Sequence, residues 1–443
     1  MPLNLTAVSL FSSGGIGDLA IRDAGFDILV SNEVIEERHK VFSYNFPGTK
    51  CITGDVREKE VEIVEAALNR LRGRELDLLY ATPPCQGMSK NGRGKLLRAV
   101  REGKKPAMDE RNRLIVPTVR IASLLRPRVI LFENVPEMEN TLIASKDGEA
   151  ISILNYISRE LGDEYKGKAE VVEFADYGVP QFRQRLITVF TRVGAMKQWG
   201  AAAKSFLPPP THGREPHLKP WVTVRDAISD LPPLDASTVE TARSDLAYHR
   251  VPLLDERKYW WVANTPSERS AFDNQCAACG YQGNVSHSAR KDKNGINRAS
   301  LETPVYCESC NALLPRPTVE DSKGVRLMKG FTSAYKRMAY DAPASTLTRN
   351  LSYACSDNKL HPEQNRVLSL LEAFRVHTVT SYEYDWKRND GRRVSDKVIR
   401  EIIGESIPPA GFAVILTHLV SIYKGEADMW QGVGPLFAKE AIT

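Results

Sequence analysis

The sequence predicts an α/β fold built on a mostly parallel, doubly wound sheet. Three observations support this prediction. Short apolar runs alternate with helical patterns over roughly the first 190 residues, and glycine-rich or polar turns follow the apolar runs. This alternation stops near residue 205 and regular patterning returns at Asp341, so a second, irregular region interrupts the chain. Ligands of such sheets bind beyond the carboxyl ends of the strands.

The first elements form a βαβ unit. The apolar run from Leu3 to Phe11 ends in SSGGIGD, and a helical pattern precedes a second strand at Phe26 to Val30. The alternation then continues through helices predicted at 34–42, 58–71, 114–125 and 151–161 and strands ending at Thr53 and Ala81 or spanning 129–132, 169–174 and 186–190.

The chain divides into three predicted segments. Residues 1–200 form an α/β domain, residues 205–335 a second, irregular domain, and residues 340–443 a return segment that completes the first domain and the hinge. Proline-rich stretches at 206–213 and 231–235 mark the irregular middle. Helices are predicted at 367–376, 398–403 and 413–423 in the return segment.

Composition limits the class of protein. The 443 residues are 42% hydrophobic, which allows a large core, and the longest apolar runs are far shorter than a membrane span. The first residues lack the pattern of a signal peptide. Four of the seven cysteines form two CxxC pairs, which favours metal ligation in a reducing compartment, and we expect the cytoplasm. The net charge of +5 suits a polyanionic partner without requiring one.

A cofactor site is predicted at the first glycine turn. In FSSGGIG, residues 11–17, the glycines permit a close backbone approach to a ligand at a helix N-terminus. Glu33 follows the second strand and Asp55 the third, where they could accept hydrogen bonds from ribose hydroxyls and an adenine amino group. Each alone reads more simply as a solvated loop carboxylate. Their occurrence at successive strand ends favours an adenosine-containing cofactor.

Cys85 is the predicted nucleophile. The motif ATPPCQGMS places it after a strand and two consecutive φ-restricted prolines, in a position suited to attack. Glu133 ends the next strand, and Arg183 and Arg185 are spaced to share one face of a later strand. A thiolate, a protonatable acid and two arginines suit addition to an electron-poor ring. A buried strand-end cysteine, a helix-capping Glu133 and phosphate-facing arginines remain the simpler alternatives.

Six motifs in order resemble those of the DNA (cytosine-5)-methyltransferase family, of the restriction-modification type. They are LFSSGGIGDLAIRDAGF, ATPPCQGMS, LFENV, QFRQR, DAPASTLTRN and IGESIPP, and they cover the chain except its middle. The resemblance implies a Rossmann-like S-adenosylmethionine-dependent domain and a variable target-recognition domain. It also implies that the target cytosine is flipped out of the duplex, because its reacting atoms are inaccessible in a stacked helix.

The resemblance assigns roles to individual residues. It implies that Cys85 attacks cytosine C6, that Glu133 engages N3 and the exocyclic amine, and that Arg183 and Arg185 hold the substrate and intermediate. Contacts to S-adenosyl-L-methionine are implied for a larger group, with Glu33 at the ribose, Asp55 at the adenine and Ser406 near the amino-acid end. That group comprises Phe11, Gly14, Gly15, Ile16, Glu33, Asp55, Val56, Pro84 and Ser406.

Two positions depart from the family pattern. Ser13 stands where glycine is usual, which suggests a slightly different turn, and Glu405 stands where asparagine is usual. Glu405 adds a negative charge near the amino-acid end of the cofactor, so we expect it to lower cofactor affinity without inactivating the enzyme.

The segment after Cys85 is basic and rich in glycine. From Lys90 to Lys105 it holds seven basic residues against one acidic, with glycines at 92, 94 and 103. A solvated helix face would explain the charge but not the glycines. We therefore predict a loop that closes over DNA phosphates.

The middle region predicts a structural Zn²⁺ site. Cys276 and Cys279, and Cys307 and Cys310, form two CxxC knuckles separated by 27 residues, a spacing typical of a closed four-thiolate site. His287 is expected to be a surface residue rather than a ligand. The aromatic run at 259–261 is expected to pack in the core, with DNA contact as the alternative. A metal would rigidify a DNA reader with a small core.

Three functions compete. The first is a duplex-DNA cytosine-C5 methyltransferase, the modification partner of a restriction endonuclease that need not bind it physically, and a monomer as is common in the family. The second is an RNA cytosine-C5 methyltransferase of the tRNA-modifying branch, which the large middle region disfavours. The third is a non-catalytic DNA-binding regulator, which the intact motif residues disfavour. Transfer to an amino group would need an acidic or polar residue before Pro-Pro together with an aromatic one after it, and ATPPCQ does not offer that combination because Cys85 follows the prolines.

Overall fold

One eight-stranded sheet organises the chain. A computed structural model describes residues 5–84, 110–144, 150–194, 204–286, 290–291, 297–298, 303–328, 333–425, 430–431 and 436–437. The sheet contains β1 (Leu5–Leu10), β2 (Phe26–Glu33), β3 (Lys50–Thr53), β4 (Leu78–Ala81), β5 (Val129–Asn134), β8 (Tyr165–Glu173), β9 (Gln184–Arg192) and β16 (Leu436–Phe437). Their order is β16-β8-β9-β5-β4-β1-β2-β3.

The predicted doubly wound sheet is confirmed for five neighbouring strands. β3, β2, β1, β4 and β5 are parallel to one another, whereas β9 runs antiparallel to both β5 and β8, and β16 runs antiparallel to β8. Only residues 174–183 connect β8 to β9, too few for the helical crossover that a parallel pair needs. One end of the sheet is therefore antiparallel, which the alternation of elements alone did not predict.

Helices cover both faces of this sheet. They are α1 (Ile16–Asp23), α2 (Glu36–Asn45), α3 (Val56–Leu71), α4 (Ile115–Leu125), α5 (Ile153–Leu161), α6 (Val224–Ile228), α7 (Glu256–Ala263), α8 (Leu370–Val376), α9 (Asp396–Glu405) and α10 (Pro409–Lys424). Short 3₁₀ turns occupy Glu110–Leu114, Pro136–Asn140, Gly162–Glu164, Phe174–Tyr177, Ala271–Asp273 and Val379–Ser381. Two-residue to four-residue strands lie outside the main sheet, namely β6 (Leu142–Ala144), β7 (Ala150–Ser152), β10 (Lys204–Ser205), β11 (Arg290–Lys291), β12 (Asn297–Arg298), β13 (Thr318–Asp321), β14 (Gly324–Leu327) and β15 (Trp430–Gln431).

Side chains of the central strands alternate between two cores. In β4, Leu78 and Tyr80 join the core beneath α1, α2, α8, α9 and α10, while Leu79 and Ala81 join the core beneath α3, α4 and α5. This is the period of two that a strand buried on both faces requires. α1 and α10, which are distant in the sequence, pack in the same core.

The irregular middle region has a small core of its own, and buried arginines lie in it and in the segment that follows. Trp261 is buried with Phe272, Tyr335 and residues as late as Val367, which confirms the packing role expected for the aromatic run at that position. Arg337 is 3% exposed, and its guanidinium donates to four backbone carbonyls, those of Val262, Thr265, His361 and Gln364. In this irregular part of the chain, a buried guanidinium group thus supplies hydrogen bonds to backbone carbonyls, a task that regular secondary structure performs elsewhere.

One stretch of the described residues passes a length and composition test for a membrane span. It runs from Asp396 to Lys424, but it consists of α9 and α10, which are separated at 406–408, and 61% of its most apolar window is buried inside the protein. The core position of both helices accounts for their apolar character.

Candidate active site and metal centre

The first predicted cofactor element is a tight loop between β1 and α1. Phe11, Ser13 and Gly15 have positive φ values of 60°, 48° and 84°. The backbone N–H of Ser12 donates to the carbonyl of Asn32, 3.0 Å away, and fixes the loop against β2. A side chain at Gly15 would lie 2.6 Å from Phe46 and 2.8 Å from Phe42. Glycine is therefore required here by backbone conformation and packing against α2, in addition to any approach of a ligand.

Glu33 joins this loop to the end of β2. Its two carboxylate oxygens accept from the backbone N–H groups of Ser13 at 2.9 Å and Ile35 at 2.8 Å. Burial raises the pKa of Glu33, and the two N–H groups and the charge of Arg38 oppose that rise. The exposed apolar side chains of Val34 and Ile35 follow directly. A fixed carboxylate flanked by apolar surface fits a ribose and an adenine ring.

Asp55 has a local structural role. It is the N-cap of α3, where it accepts from the N–H of Arg57 at 2.9 Å, and its carboxylate also pairs with the Arg57 guanidinium at 2.5 Å. The Arg57 hydrogen bonds lower the pKa of Asp55. The structure thus displays the capping interaction, and the predicted contact between Asp55 and an adenine amino group stays a prediction.

The other predicted cofactor residues differ in what they present. Ile16 and Val56 are buried, each in a different core, so only their backbone groups are near the loop surfaces. Phe11 and Pro84 are half-buried at the strand ends. Gly14 precedes Gly15 in the loop between β1 and α1, and its carbonyl accepts a hydrogen bond from the Tyr384 hydroxyl at 2.6 Å.

Ser406 is held by a directed chain of hydrogen bonds. The side-chain amide of Gln181 donates to Nδ1 of His377 at 3.1 Å, and Nε2 of His377 lies 3.0 Å from the Ser406 hydroxyl. Because Nδ1 accepts, Nε2 carries the proton and donates to Ser406. The Ser406 hydroxyl donates onward to the carbonyl of Ile403 at 3.2 Å. Burial holds the pKa of His377 well below its usual range, which keeps the ring neutral for this relay.

Cys85 lies outside the described residues, but the chain that leads to it is defined. The Thr82 hydroxyl donates to the Phe11 carbonyl at 3.0 Å, and the Asn134 side-chain amide donates to the Pro83 carbonyl at 2.9 Å. Asn134 is the last residue of β5 and is 6% exposed. The start of the Pro-Pro corner is therefore tied both to the glycine loop and to the strand that carries Glu133. Neither Thr82 nor Asn134 was singled out from the sequence, although both stand at strand ends.

Glu133 and Arg185 form a close pair at the end of β5. Arg185 Nε lies 2.7 Å from Glu133 Oε1, and the acid is 5% exposed. Burial raises the pKa of Glu133, against the opposing charges of Arg185 and Arg183. Burial and the neighbouring arginines therefore act on this carboxyl group in opposite directions, and burial has the larger effect on its pKa.

Arg183 occupies a different environment from Arg185. It is completely buried, and its guanidinium donates to the carbonyls of Leu347 at 2.8 Å, Gly404 at 3.0 Å and Ser406 at 2.5 Å. Its Nε has no hydrogen-bond partner among the described residues. Spacing predicted a shared face for the two arginines, whereas the structure shows one pairing with Glu133 and the other binding the return segment.

The four cysteines of the two knuckles converge. Their sulfur atoms all lie within 4.8 Å of one another, with Cys276 and Cys310 at 3.6 Å and Cys279 and Cys307 at 3.7 Å. Sulfurs around a tetrahedral Zn²⁺ at Zn–S distances of about 2.3 Å would be separated by about 3.8 Å. The donor set therefore fits this metal.

The two knuckles also share a backbone geometry. In each, the residue after the second cysteine has a positive φ, 72° at Gly280 and 60° at Asn311, and its N–H donates to the carbonyl of the first cysteine, Cys276 or Cys307. Such repeated turns aim both sulfurs of a pair at one point. His287 and the basic segment Lys90 to Lys105 lie outside the described residues.

The fold and the site define a class of protein, an α/β protein with a glycine loop after β1 and a buried acid–arginine pair at the end of β5. A solved structure of a prophage-encoded protein of E. coli, described as a DNA modification methyltransferase, shares this fold with a TM-score of 0.53 at 20% identity, covering 95% of this chain and all of that one.

Sequence comparison places the chain in a family. Residues 5–421 match the model of the C-5 cytosine-specific DNA methylase family. The chain is 30% identical over 418 residues to the type II methyltransferase M1.HgaI of Avibacterium volantium, covering 92% of this chain and 96% of the relative. It is 33% identical over 243 residues to M.AquIA of Picosynechococcus sp., covering 51% and 88%. The chain belongs to the C-5 cytosine-specific DNA methylase family and is a DNA cytosine-5 methyltransferase, and S-adenosylmethionine is the cofactor that this family implies.

Proposed function

We propose that this enzyme methylates C5 of a cytosine flipped out of a specific duplex DNA sequence, as the modification enzyme of a type II restriction-modification system. The observation that carries the proposal is the buried pair of Glu133 and Arg185 beside the anchored Pro-Pro corner that leads to Cys85. The names of its relatives as type II methyltransferases support the biological setting.

Each catalytic residue has a defined task. The Cys85 thiolate forms a bond to cytosine C6 while Glu133 donates a proton to N3, so that electron density moves to C5. Arg185 faces the carbonyl oxygen and orients Glu133. After C5 has gained the methyl group, it loses its proton to a base, the C6–S bond breaks and N3 returns its proton to Glu133, which restores the neutral aromatic ring, the thiolate and the acid. S-adenosylmethionine, when bound, supplies the methyl group.

Arg183 acts mainly as a positioning residue in this scheme. Its hydrogen bonds to three carbonyls of the return segment hold Ser406 at the amino-acid end of the cofactor site. Contact with the substrate or intermediate, which the family resemblance implies, would fall to its unpartnered Nε.

The cofactor would lie along the carboxyl ends of β1, β2 and β3. Glu33 would accept from the ribose hydroxyls, Asp55 from the adenine amino group, and Phe11 and Pro84 would flank the ring. The backbone of Gly14, Gly15, Ile16 and Val56 would complete the site. An Asp55 carboxylate already paired with Arg57 would have to share its oxygens, so we assign it a smaller contribution to binding than Glu33.

The middle region, residues 205–335, would read the DNA sequence. A structural Zn²⁺ held by Cys276, Cys279, Cys307 and Cys310 would fix the ends of its two knuckles, and the basic segment after Cys85 would close over phosphates. We further propose a cytoplasmic monomer that shares its target site with a restriction endonuclease without a stable complex.

Transfer of a tritiated methyl group tests this function. The wild-type enzyme should label duplex DNA and not transfer RNA, whereas Cys85→Ser should label neither and should still bind S-adenosylhomocysteine. Mapping 5-methylcytosine in a methylation-free host that expresses the chain would give the target sequence. Labelling of transfer RNA alone would favour the tRNA-modifying alternative, and cofactor binding without any transfer would favour the regulator.

A further inference from the structure

Asn284 lies between the two cysteine knuckles and contacts both. It is 3% exposed, and its side-chain oxygen accepts from the backbone N–H of Glu308 at 2.9 Å. Glu308 directly follows Cys307 in the second knuckle. The side-chain amide of Asn284 donates to the carbonyl of Tyr281 at 3.3 Å, and the same carbonyl accepts from the N–H of Cys276 at 3.2 Å. One neutral side chain therefore joins the first knuckle to the second.

The backbone of Asn284 is fixed by Gln275, the residue before Cys276. The Asn284 N–H donates to Gln275 Oε1 at 3.0 Å, and Gln275 Nε2 donates to the Asn284 carbonyl at 3.2 Å. This reciprocal pair satisfies both backbone polar groups of Asn284. The position of Asn284 is thus set from the first knuckle, while its side chain reaches the second.

The hydrogen bond from Glu308 to Asn284 also bears on a sulfur atom. It fixes the peptide between Cys307 and Glu308, and the next backbone N–H, that of Ser309, donates to Cys307 Sγ at 3.4 Å. Hydrogen bonds behind the ligands of a metal orient those ligands and tune the affinity of the site. Asn284 therefore acts on the geometry of a predicted ligand without being one.

The chain segments that lead into the knuckles are anchored to the core of the middle region. Asn274 Nδ2 donates to the carbonyl of Trp261 at 2.8 Å. The guanidinium of the buried Arg316 donates to the carbonyls of Asn274 at 2.8 Å and Pro304 at 2.9 Å. These bonds hold the chain before each knuckle, and Asn284 supplies a link between the knuckles themselves.

We propose that Asn284 is a positioning residue of the four-cysteine site, which holds the two knuckles together so that less order has to be gained when a metal ion binds. The inference rests on the proposed zinc site. Asparagine suits this role because it accepts one hydrogen bond and donates another without adding negative charge beside four thiolates. Loss of such a group behind the ligands costs about 10- to 100-fold in metal affinity.

Competition for zinc between the full-length, zinc-loaded protein and a chromophoric chelator tests the proposal. Asn284→Ala should bind Zn²⁺ about 10- to 100-fold more weakly than the wild-type protein and release it faster. Its cobalt-substituted form should keep the visible absorption of a tetrahedral four-thiolate site, because all four ligands remain. Gln282→Ala is the matched control and should have wild-type affinity, since this exposed amide of the same segment donates to the carbonyl of Gly280.

The outcomes separate this inference from the metal site on which it rests. Equal zinc affinities of Asn284→Ala and Gln282→Ala would overturn the role of Asn284, even if Asn284→Ala melted at a lower temperature. If Asn284→Ala does not fold, Gln275→Ala takes its place, because it removes the bonds that fix the Asn284 backbone. A wild-type zinc affinity of that variant would equally overturn the role. A wild-type protein that binds no zinc would instead overturn the metal site itself.

Discussion

The Asn134 side-chain amide donates to the carbonyl of Pro83, 2.9 Å away, and so ties the end of β5 to the corner that leads to Cys85. Asn134 follows Glu133 directly in the same strand. The corner that leads to Cys85 is therefore held by a buried hydrogen bond to the strand that carries Glu133.

Loss of this bond should impair chemistry more than binding. We expect Asn134→Ala to lower kcat by about 10- to 100-fold, because a nucleophile displaced by even 1 Å reacts far more slowly. The KM for S-adenosylmethionine should change little. Steady-state kinetics with tritiated cofactor would measure both, with Asn155→Ala on the exposed face of α5 as the control. A wild-type kcat for Asn134→Ala would contradict the role of this bond.

Glu133 should be needed for activity but should lower the stability of the folded enzyme as the pH rises. Because burial raises its pKa in the folded state, the stabilising contribution of the neutral acid is complete below the unfolded pKa and is lost as the pH rises through the folded pKa. Glutamine cannot ionise and escapes this loss. We therefore expect Glu133→Gln to lose about 10²- to 10⁴-fold in activity while its stability relative to the wild-type enzyme increases from pH 5 to pH 8.

Thermal unfolding at these two pH values would measure the stability difference. Glu164→Gln, which removes a carboxylate from a surface pair with Arg126, serves as the control. A Glu133→Gln variant that becomes less stable relative to the wild-type enzyme at high pH would show that the pair with Arg185 outweighs burial.

The cysteine cluster should bind one metal ion. We expect about one zinc per chain by elemental analysis, and Cys307→Ser should lose the metal and lower the melting temperature, because the buried sulfur and the knuckle it holds lose their anchor. Binding of S-adenosylhomocysteine should persist in this variant, whereas binding of the target DNA should weaken. Cys355→Ser, which changes an exposed cysteine outside the cluster, should behave as wild type. Metal-free wild-type protein with full DNA affinity would refute the structural role of the metal.

His377 should act on cofactor affinity. His377→Ala removes the acceptor of the Gln181 side-chain N–H and the donor to the Ser406 hydroxyl, and an unsatisfied buried polar group costs about 1–3 kcal/mol. We expect roughly a tenfold rise in the KM for S-adenosylmethionine with a nearly unchanged kcat. His377→Gln, which offers an acceptor and a donor, should recover part of the loss. Similar kcat losses in both variants would point to a general disturbance of the core instead.

The parallel half of the sheet and the strand-end positions of Glu33, Asp55 and Glu133 follow from patterns in the sequence. Apolar periodicity locates strands, and the doubly wound topology brings their carboxyl ends to one edge. The sequence does not predict which groups these polar side chains bind. The spacing of Arg183 and Arg185 fixes their side of a strand, but the carbonyls that bind Arg183 come from residues more than 160 positions later.

Asp55 and Glu405 differ in how far the sequence predicts their partners. The N-cap role of Asp55 could have been anticipated from its position before an apolar helical pattern. The pair between Glu405 and Arg38 could not, because it depends on the approach of two helices that are distant in sequence. An ion pair between residues so far apart in the sequence can be identified only from the three-dimensional structure.

The packing of α1 against α10 in one core has a consequence for synthesis of the enzyme. The loop before α1 is made early during translation, yet α10, which packs against α1, emerges only after the irregular middle region has left the ribosome. Contacts of such long sequence separation form late in folding. A nascent chain should therefore be unable to modify DNA until it is nearly complete, and a chain cut within the middle region should yield two fragments that regain activity only on reassociation.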